Sequence, residues 1–235
     1  MKPSDRLIVA LDRSDRLEIL DLVDELSGLA GLFKIGLQAF VANGPSLVRE
    51  ISDRGERVFL DLKLHDIPNT VMKSVEESAR LGAAMLTIHA SGGEEMIRAA
   101  SDAAKSSGGS LMILGVTVLT SLDGQSLERI GMRDGAEAAV IRLAHLAMDG
   151  GAGGVVASPR EIAAIRRTCG ASLKIITPGI RTAGEAAGDQ ARTLSAREAV
   201  EAGADYIVVG RPIIDAPNRR EAAELLLASI SSASS

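Results

Sequence analysis

Short runs of aliphatic residues recur eight times along the chain, and a longer segment with apolar residues three or four apart follows each run. The short runs have the length of β-strands, whereas the longer segments have the period of an amphipathic α-helix. Strand and helix in regular alternation predict a parallel sheet. The eight predicted strands are residues 7–11, 32–36, 57–62, 84–89, 111–118, 154–157, 173–177 and 206–210.

The number and character of these units predict how the sheet is arranged. Strands that are apolar throughout need cover on both faces, which a barrel provides with packed side chains inside and helices outside. Eight units predict a (β/α)8 TIM barrel, whose usual length of about 250 residues agrees with the 235 here. A doubly wound open sheet is the alternative, because the number of strands does not decide closure. Helical spacing is clearest for Leu17, Leu20, Val23 and Leu26 in the first segment and for Val140, Leu143, Ala144 and Ala147 in the fifth.

No linker or change of composition divides the chain, so residues 1–235 are predicted to form one domain. The Ser- and Ala-rich segment 229–235 is predicted to fray. The apolar run near the N-terminus is too short for a signal peptide or a membrane span, and a lone cysteine, Cys169, can form no internal disulfide. We therefore expect a cytoplasmic protein without a membrane partner.

Charge and aromatic content argue against a nucleic-acid partner. The net charge is −5 and the basic residues are dispersed, whereas proteins that bind nucleic acid usually present a basic stripe. Aromatic residues make up only 2% of the chain, with no Trp, so stacking platforms for single-stranded bases are lacking. A small molecule is the expected ligand.

The predicted strands end in polar residues, at the edge of a TIM barrel where catalytic groups lie. The first strand is followed by Asp12, the second contains Lys34, and the third ends with Asp61 and Lys63. Residues two apart on a strand point to the same face, so Asp61 and Lys63 are predicted to face the barrel axis together. A buried ion pair contributes little net stability, which favours a catalytic role over a purely structural one. A fixed lysine between carboxylates is suited to general acid catalysis and to stabilising an anion.

Glycine and arginine follow the seventh and eighth predicted strands, where TIM barrels commonly bind phosphate. Arg181 closes the sequence Pro178-Gly179-Ile180-Arg181, and Arg211 follows Gly210. Glycine allows backbone N–H groups to approach phosphate oxygens, and each arginine adds a positive charge. The polar segment 182–193 has no apolar stripe and is predicted to be a lid over the phosphate, with a disordered loop as the alternative.

Several spaced motifs are spread over nearly the whole chain. The longest is Asp61-Leu62-Lys63-Leu64-His65-Asp66-Ile67-Pro68-Asn69-Thr70. The others are Val9-Ala10-Leu11-Asp12, Phe33-Lys34-Ile35-Gly36, Val116-Thr117-Val118-Leu119-Thr120-Ser121, Pro178-Gly179-Ile180-Arg181, Gly188-Asp189-Gln190-Ala191-Arg192 and Val209-Gly210-Arg211-Pro212-Ile213. Together these motifs resemble the bacterial branch of the orotidine 5'-phosphate decarboxylase family. Several motifs in the same order are far more specific than any one of them.

This resemblance implies conversion of orotidine 5'-phosphate to UMP and carbon dioxide without a cofactor or metal, as the last step of de novo UMP synthesis. It implies that Lys63 donates a proton to C6 of the pyrimidine and that Asp61 lies beside the departing carboxylate. It also implies a homodimer with shared active sites. The remaining implied roles are Asp12 and Lys34 at the ribose, completing a Lys-Asp-Lys-Asp array; Asp66, Ile67 and Thr70 in the neighbouring subunit's site; Thr120 at the base; and Arg181, Gln190, Gly210 and Arg211 at the phosphate.

Two other functions stay open at this point. A metal-dependent phosphosugar decarboxylase or aldolase, resembling keto-gulonate-phosphate decarboxylase or hexulose-phosphate synthase, shares the Asp-x-Lys-x-x-Asp core. Such an enzyme is expected to carry a metal-binding carboxylate on the second strand, where this chain has Lys34. A non-catalytic barrel that only binds a nucleotide is expected to lack part of the charged array, which is complete here.

Overall fold

Eight parallel strands close into a barrel in the computed structural model, which describes residues 1–108, 110–181 and 194–231. The barrel strands are β1 (Leu7–Ala10), β2 (Leu32–Gly36), β3 (Val58–Leu64), β4 (Ala83–His89), β5 (Met112–Val116), β6 (Gly154–Val156), β7 (Lys174–Thr177) and β10 (Tyr206–Val209). Two further short strands, β8 (Ile180–Arg181) and β9 (Leu194–Ser195), precede β10 in the chain. The closed order is β1-β10-β7-β6-β5-β4-β3-β2, and β8 pairs with β9 outside the barrel. Closure confirms the predicted TIM barrel and excludes the doubly wound open sheet.

Helices cover the outside of the barrel. They are α1 (Pro3–Arg6), α2 (Arg16–Leu26), α3 (Leu37–Asn43), α4 (Pro45–Asp53), α5 (Pro68–Arg80), α6 (Glu94–Ser106), α7 (Gly124–Arg129), α8 (Gly135–Asp149), α9 (Ile162–Cys169), α10 (Ala196–Glu201), α11 (Arg211–Ile214) and α12 (Arg219–Ser231). Among the described helices, we find no stretch with the length and hydropathy that a bilayer crossing requires.

One detail of the helices differs from the sequence-based predictions. Leu17 is 71% exposed, because the buried stripe of α2 is centred on Ile19 and Leu22 and Leu17 lies on the opposite side of the helix. Helix α12 ends at Ser231, within the segment 229–235, whose fraying stays a prediction. Residues 232–235 lie outside the described part of the chain.

The inside of the barrel is layered, because alternate residues of each strand point inward. The inner apolar cluster consists of Ile8, Ala10, Leu32, Phe59, Met85, Leu114, Ile176, Tyr206 and Val208. The next residues in the same alternation are Asp12 beyond β1, Lys34 on β2 and Asp61 on β3. A charged layer therefore lies directly above the apolar layer, at the C-terminal ends of the strands.

A bulge interrupts β3 at the level of this charged layer. The pairing of β3 with β4 moves directly from Leu60 to Leu64, so three residues of β3 face a single residue of β4. Extra residues in one strand bend it and change the direction of its side chains. Lys63, inside the bulge, has a φ of 52° and is the sole non-glycine residue with positive φ in the described ranges. The backbone at Lys63 is therefore not that of a regular strand.

Candidate active site

A cavity of about 510 Å³ opens among the loops at the C-terminal ends of the barrel strands. This volume lies within the range of about 300 to 1,000 Å³ that is typical of small-molecule sites. Catalytic groups of TIM barrels lie at the same end of the barrel. The predicted site residues that line the cavity are Asp12, Lys34, Asp61, Lys63, Thr120, Gly210 and Arg211.

Asp61 is the centre of a cluster of alternating charges. Lys63 Nζ lies 2.9 Å from both carboxylate oxygens of Asp61, and Lys34 Nζ lies 3.8 Å from Asp61 Oδ2. Lys34 Nζ also donates a hydrogen bond to Asp12 Oδ1 at 3.1 Å. The structure thus brings these four predicted residues into one array, in which each ammonium is next to at least one carboxylate.

The middle of the array is shielded from water. The side chains of Lys34 and Asp61 are 11% and 13% exposed, against 30% for Lys63 and 52% for Asp12. Removing charges from water costs several kcal/mol per ion unless opposite charges and hydrogen bonds compensate. Both shielded charges have such partners, so the cavity contains fixed charges of both signs.

A second wall of the cavity carries glycine and arginine. Gly179 follows β7, and Gly210 and Arg211 follow β10. Within the described residues, the Arg211 guanidinium forms no ion pair and is free to meet an anion. Arg181 is the last residue of β8. The predicted phosphate ligand Gln190 and the predicted lid 182–193 lie outside the described residues.

Three other predicted site residues, Asp66, Ile67 and Thr70, lie on the surface rather than in the cavity lining. Ile67 is 66% exposed. The Ile67 N–H donates to Asp66 Oδ1 at 2.7 Å, just before α5 begins at Pro68. These positions leave all three residues accessible to another molecule.

Comparison with protein families identifies the chain. The family model described as "Orotidine 5'-phosphate decarboxylase / HUMPS family" matches residues 5–226. The chain belongs to the orotidine 5'-phosphate decarboxylase family. The match covers every barrel strand, from β1 to β10.

Relatives named orotidine 5'-phosphate decarboxylase align with almost the whole chain. The one from Anaeromyxobacter sp. (strain K) is 48% identical over 230 residues, covering 98% of this chain and 100% of that relative. The one from Moorella thermoacetica is 48% identical over 236 residues, covering 98% of this chain and 94% of that relative. The crystal structure of orotidine 5'-phosphate decarboxylase from Lactobacillus acidophilus matches with a TM-score of 0.86 and 33% identity, covering 95% of this chain and 98% of that one.

Two residues of this decarboxylase-family site were not predicted from the sequence. Thr87 on β4 is fully buried and contacts both Asp61 and Lys63. Gly36 ends β2, and a Cβ atom there would lie 2.9 Å from Lys34 Nζ, so a side chain would displace the ammonium from its place beside Asp12. The signal for Thr87 was a polar residue within an aliphatic run, whereas Gly36 gave none.

Arg13 connects two walls of the decarboxylase-family cavity. It follows Asp12, and its Nε donates to Glu18 Oε1 on α2 at 2.6 Å. Its guanidinium also pairs with Asp215, which ends the short helix α11 that begins at Arg211. The hydrogen bonds to Asp215 and, to a lesser extent, Glu18 raise the pKa of Arg13 above its usual value. The loop after β1 and the segment after β10 are therefore tied together.

A pair of histidines lies beside the charged array. The ring centroids of His65 and His89 are 5.3 Å apart. Burial lowers the pKa of His89 below the ordinary value of 6.5, and the positive charges of His65 and Lys63 lower it further, against an opposing effect of Asp61. The surroundings of His89 therefore favour its neutral form.

We predict that His89 titrates below pH 6.5 and that His65→Asn raises its pKa, because one neighbouring positive charge is removed. Since the pKa of His89 is lower in the folded chain, its contribution to stability is complete above about pH 6.5 and is lost as the pH falls from there to the folded pKa. Proton NMR can follow all three histidines of the chain. His145→Asn, on α8, is the control and leaves the His89 titration unchanged; a His89 pKa at or above 6.5 contradicts the prediction.

Proposed function

We propose that the chain decarboxylates orotidine 5'-phosphate to UMP and carbon dioxide, without a cofactor or metal, in de novo pyrimidine synthesis. The observation that carries this proposal is the Asp61 carboxylate between the ammonium groups of Lys63 and Lys34 in the cavity. The names of the relatives support the same substrate. A cytoplasmic location is part of the proposal.

The proposed reaction breaks one carbon–carbon bond and transfers one proton. The bond between C6 of the pyrimidine and its carboxylate breaks, the electron pair stays on C6, and carbon dioxide leaves. The Lys63 ammonium then donates its proton to C6, which gives UMP, and the lysine recovers a proton from solvent. Lys63 suits this role because an ammonium group can donate a proton and Asp61 holds this one in place at 2.9 Å.

Fixed charge is the means by which this site lowers the barrier. Negative charge develops on C6 during the reaction, and a unit positive charge about 4 Å away contributes about 4 kcal/mol at an effective dielectric constant near 20. The largest enzymatic effects reach about 23 kcal/mol or more, so the two lysines supply a part of what is needed. Groups already in position cost no reorganisation when the charge develops.

Binding energy from the phosphate supports the same step. The substrate carboxylate is proposed to bind beside Asp61, and two like charges repel each other. Favourable contacts of a remote, non-reacting phosphate can offset that repulsion. We assign the phosphate to Arg211 and Gly210, together with Arg181 and Gln190.

The remaining contacts orient the nucleotide in the cavity. Asp12 and Lys34 are proposed to hold the ribose hydroxyl groups, since both line the cavity and their side chains meet at 3.1 Å. Thr120, which follows β5 and lines the cavity, is proposed to bind the base. Both contacts fix the distance between C6 and Lys63.

We further propose that the protein is a homodimer in which Asp66, Ile67 and Thr70 complete the neighbouring subunit's site. All three are exposed and lie outside the cavity lining of their own chain. Exposed apolar side chains also follow the adjacent strands β2 and β3, namely Leu37 (53%), Val41 (80%) and Ile67 (66%). Asp66 of the partner subunit would add a further carboxylate to the array of Asp12, Lys34, Asp61 and Lys63.

The metal-dependent alternative fits the cavity less well. A magnesium ion needs several oxygen ligands around one position. Lys34 Nζ, at 3.1 Å from Asp12 and 3.8 Å from Asp61, already occupies the space between these two carboxylates. The nucleotide-binding barrel without catalysis fits less well too, because an unused array of shielded charges is costly to maintain.

The proposed function is tested by following the absorbance of orotidine 5'-phosphate in the presence of EDTA. We predict that the wild-type chain consumes it under these conditions and that Lys63→Ala lowers kcat by at least about 10⁴-fold, because both the proton donor and a stabilising charge are lost. The surface variant Lys105→Ala is the control and keeps wild-type kcat; this side chain is 67% exposed on α6.

Three outcomes of this assay count against the proposal. Turnover that EDTA abolishes and magnesium restores favours the metal-dependent enzyme, and binding of UMP without any turnover favours the nucleotide-binding barrel. Equal kcat for wild type and Lys63→Ala removes the proposed role of that lysine.

The variant Arg211→Ala separates substrate binding from the chemical step. We predict that it weakens UMP binding by about 10- to 100-fold, because one charged hydrogen-bond donor is lost.

Shared active sites predict that two inactive variants restore each other. In a hybrid dimer of Lys63→Ala and Asp66→Ala subunits, one site contains an intact Lys63 and the partner's intact Asp66, and the other site lacks both. Random co-assembly should give roughly one quarter of the wild-type activity, since half of the dimers are hybrids and each has one intact site of two. Co-expression of differently tagged subunits measures this, and hybrids as inactive as their parents contradict shared sites.

A further inference from the structure

Thr87 lies opposite the whole bulge of β3. The pairing of the two strands passes from Leu60↔Leu86 to Leu64↔Ile88. Thr87 is therefore the single residue of β4 that faces the segment 61–63. Bulges next to active sites commonly direct a side chain or end the pairing of strands. The partner of this bulge is a side chain with a hydroxyl group.

The Thr87 hydroxyl is used both as a donor and as an acceptor. Its Oγ1 donates to Asp61 Oδ1 at 2.9 Å and accepts the Lys63 N–H at 2.9 Å. These donor and acceptor roles of the hydroxyl are fixed by its partners. The Asp61 carboxylate can only accept a hydrogen bond, and the Lys63 backbone N–H can only donate one. Thr87 is fully buried, so water does not compete for either bond.

The backbone of Lys63 needs such support. A non-glycine residue with positive φ is uncommon, and the cost of a sparsely populated conformation is accepted where the surroundings impose it. Lys63 has a φ of 52°, and the Thr87 hydroxyl holds its N–H in that conformation. The ammonium group at the far end of the Lys63 side chain is held by Asp61, and Thr87 also contacts Asp61.

We propose that Thr87 is a positioning residue, whose single hydroxyl sets both the Asp61 carboxylate and the Lys63 backbone and thereby aims the Lys63 ammonium at the reacting carbon. This inference rests on the proposed function for the identity of the reaction. Lysine has a long, flexible side chain, so its ammonium is placed accurately only if both of its ends are fixed. Thr87 fixes one end directly and the other through Asp61.

Three variants separate this role from a purely structural one. Thr87→Val keeps the shape of the side chain and loses both hydrogen bonds, whereas Thr87→Ser keeps both. The matched control is Thr117→Val, because Thr117 is also buried just beyond a barrel strand and its hydroxyl donates to the Val156 carbonyl oxygen at 3.0 Å. Each full-length variant is assayed with orotidine 5'-phosphate and by thermal unfolding.

We expect Thr87→Val to lower kcat by about 10²-fold, the effect of misplacing a catalytic group by about 1 Å. KM and the affinity for UMP should change far less, because the residues assigned to the phosphate are untouched. Thr87→Ser should restore most of kcat, and Thr117→Val should keep it while losing a comparable amount of thermal stability. A crystal structure of Thr87→Val should show Lys63 with a different φ or its ammonium moved from Asp61.

The inference is overturned if Thr87→Val and Thr117→Val have the same kcat, or if Thr87→Ser is as slow as Thr87→Val. If the valine variant does not fold, Thr87→Cys replaces it in the test, since a thiol is similar in size to a hydroxyl group and forms only weak hydrogen bonds. Slow turnover of Thr87→Cys supports the positioning role of Thr87, and wild-type kcat overturns it. Failure of the proposed function can be told apart from failure of the Thr87 inference, because the wild-type protein itself would then leave orotidine 5'-phosphate unchanged. The crystal structure of Thr87→Val would still test whether Thr87 sets the Lys63 backbone.

Discussion

The pairing of the Asp61 carboxylate with two ammonium groups is the interaction on which the rest of this site depends. Asp61 and Lys34 are both largely withdrawn from water, and neither charge is stable there alone. Lys63 and Asp12 supply the missing opposite charges, and Thr87 adds a hydroxyl donor to Asp61. Removing any one of these groups takes a partner from at least one of the charges, so the array acts as a unit.

The barrel accommodates this charged array because its interior is divided into layers. The inward residues of the lower layer are aliphatic or aromatic and form a compact cluster. On β1, β2 and β3 the inward residues one step higher are charged, namely Asp12, Lys34 and Asp61, and they face a cavity rather than packed side chains. Apolar packing below therefore holds the strands in place, while the charged layer above stays available for a ligand. Arg13 adds a contact at the level of the cavity, because it links the loop after β1 to the segment that carries Arg211.

The sequence predicted the barrel and the meeting of charged residues at the ends of its strands, because both depend on regular periods. Aliphatic runs located the eight barrel strands to within a few residues, and the same strand alternation placed Asp61 and Lys63 on one face. The bulge of β3 and the positive φ of Lys63 break the period of two, so no periodic pattern could indicate them. Thr87 was read as an ordinary strand residue because its importance depends on that bulge. Gly36 matters only through the closeness of Lys34, which is a property of the folded chain.

A crystal structure with UMP bound is the most direct test of the central claim, that the array around Asp61 faces the reacting carbon of a nucleotide. The account predicts that Lys63 Nζ lies within about 3.5 Å of C6, the separation of groups ready to react. It also predicts phosphate oxygens at Arg211 and Gly210. A complex in which Lys63 Nζ is more than about 5 Å from C6, beyond direct proton transfer, with the base bound away from Asp61, contradicts the account.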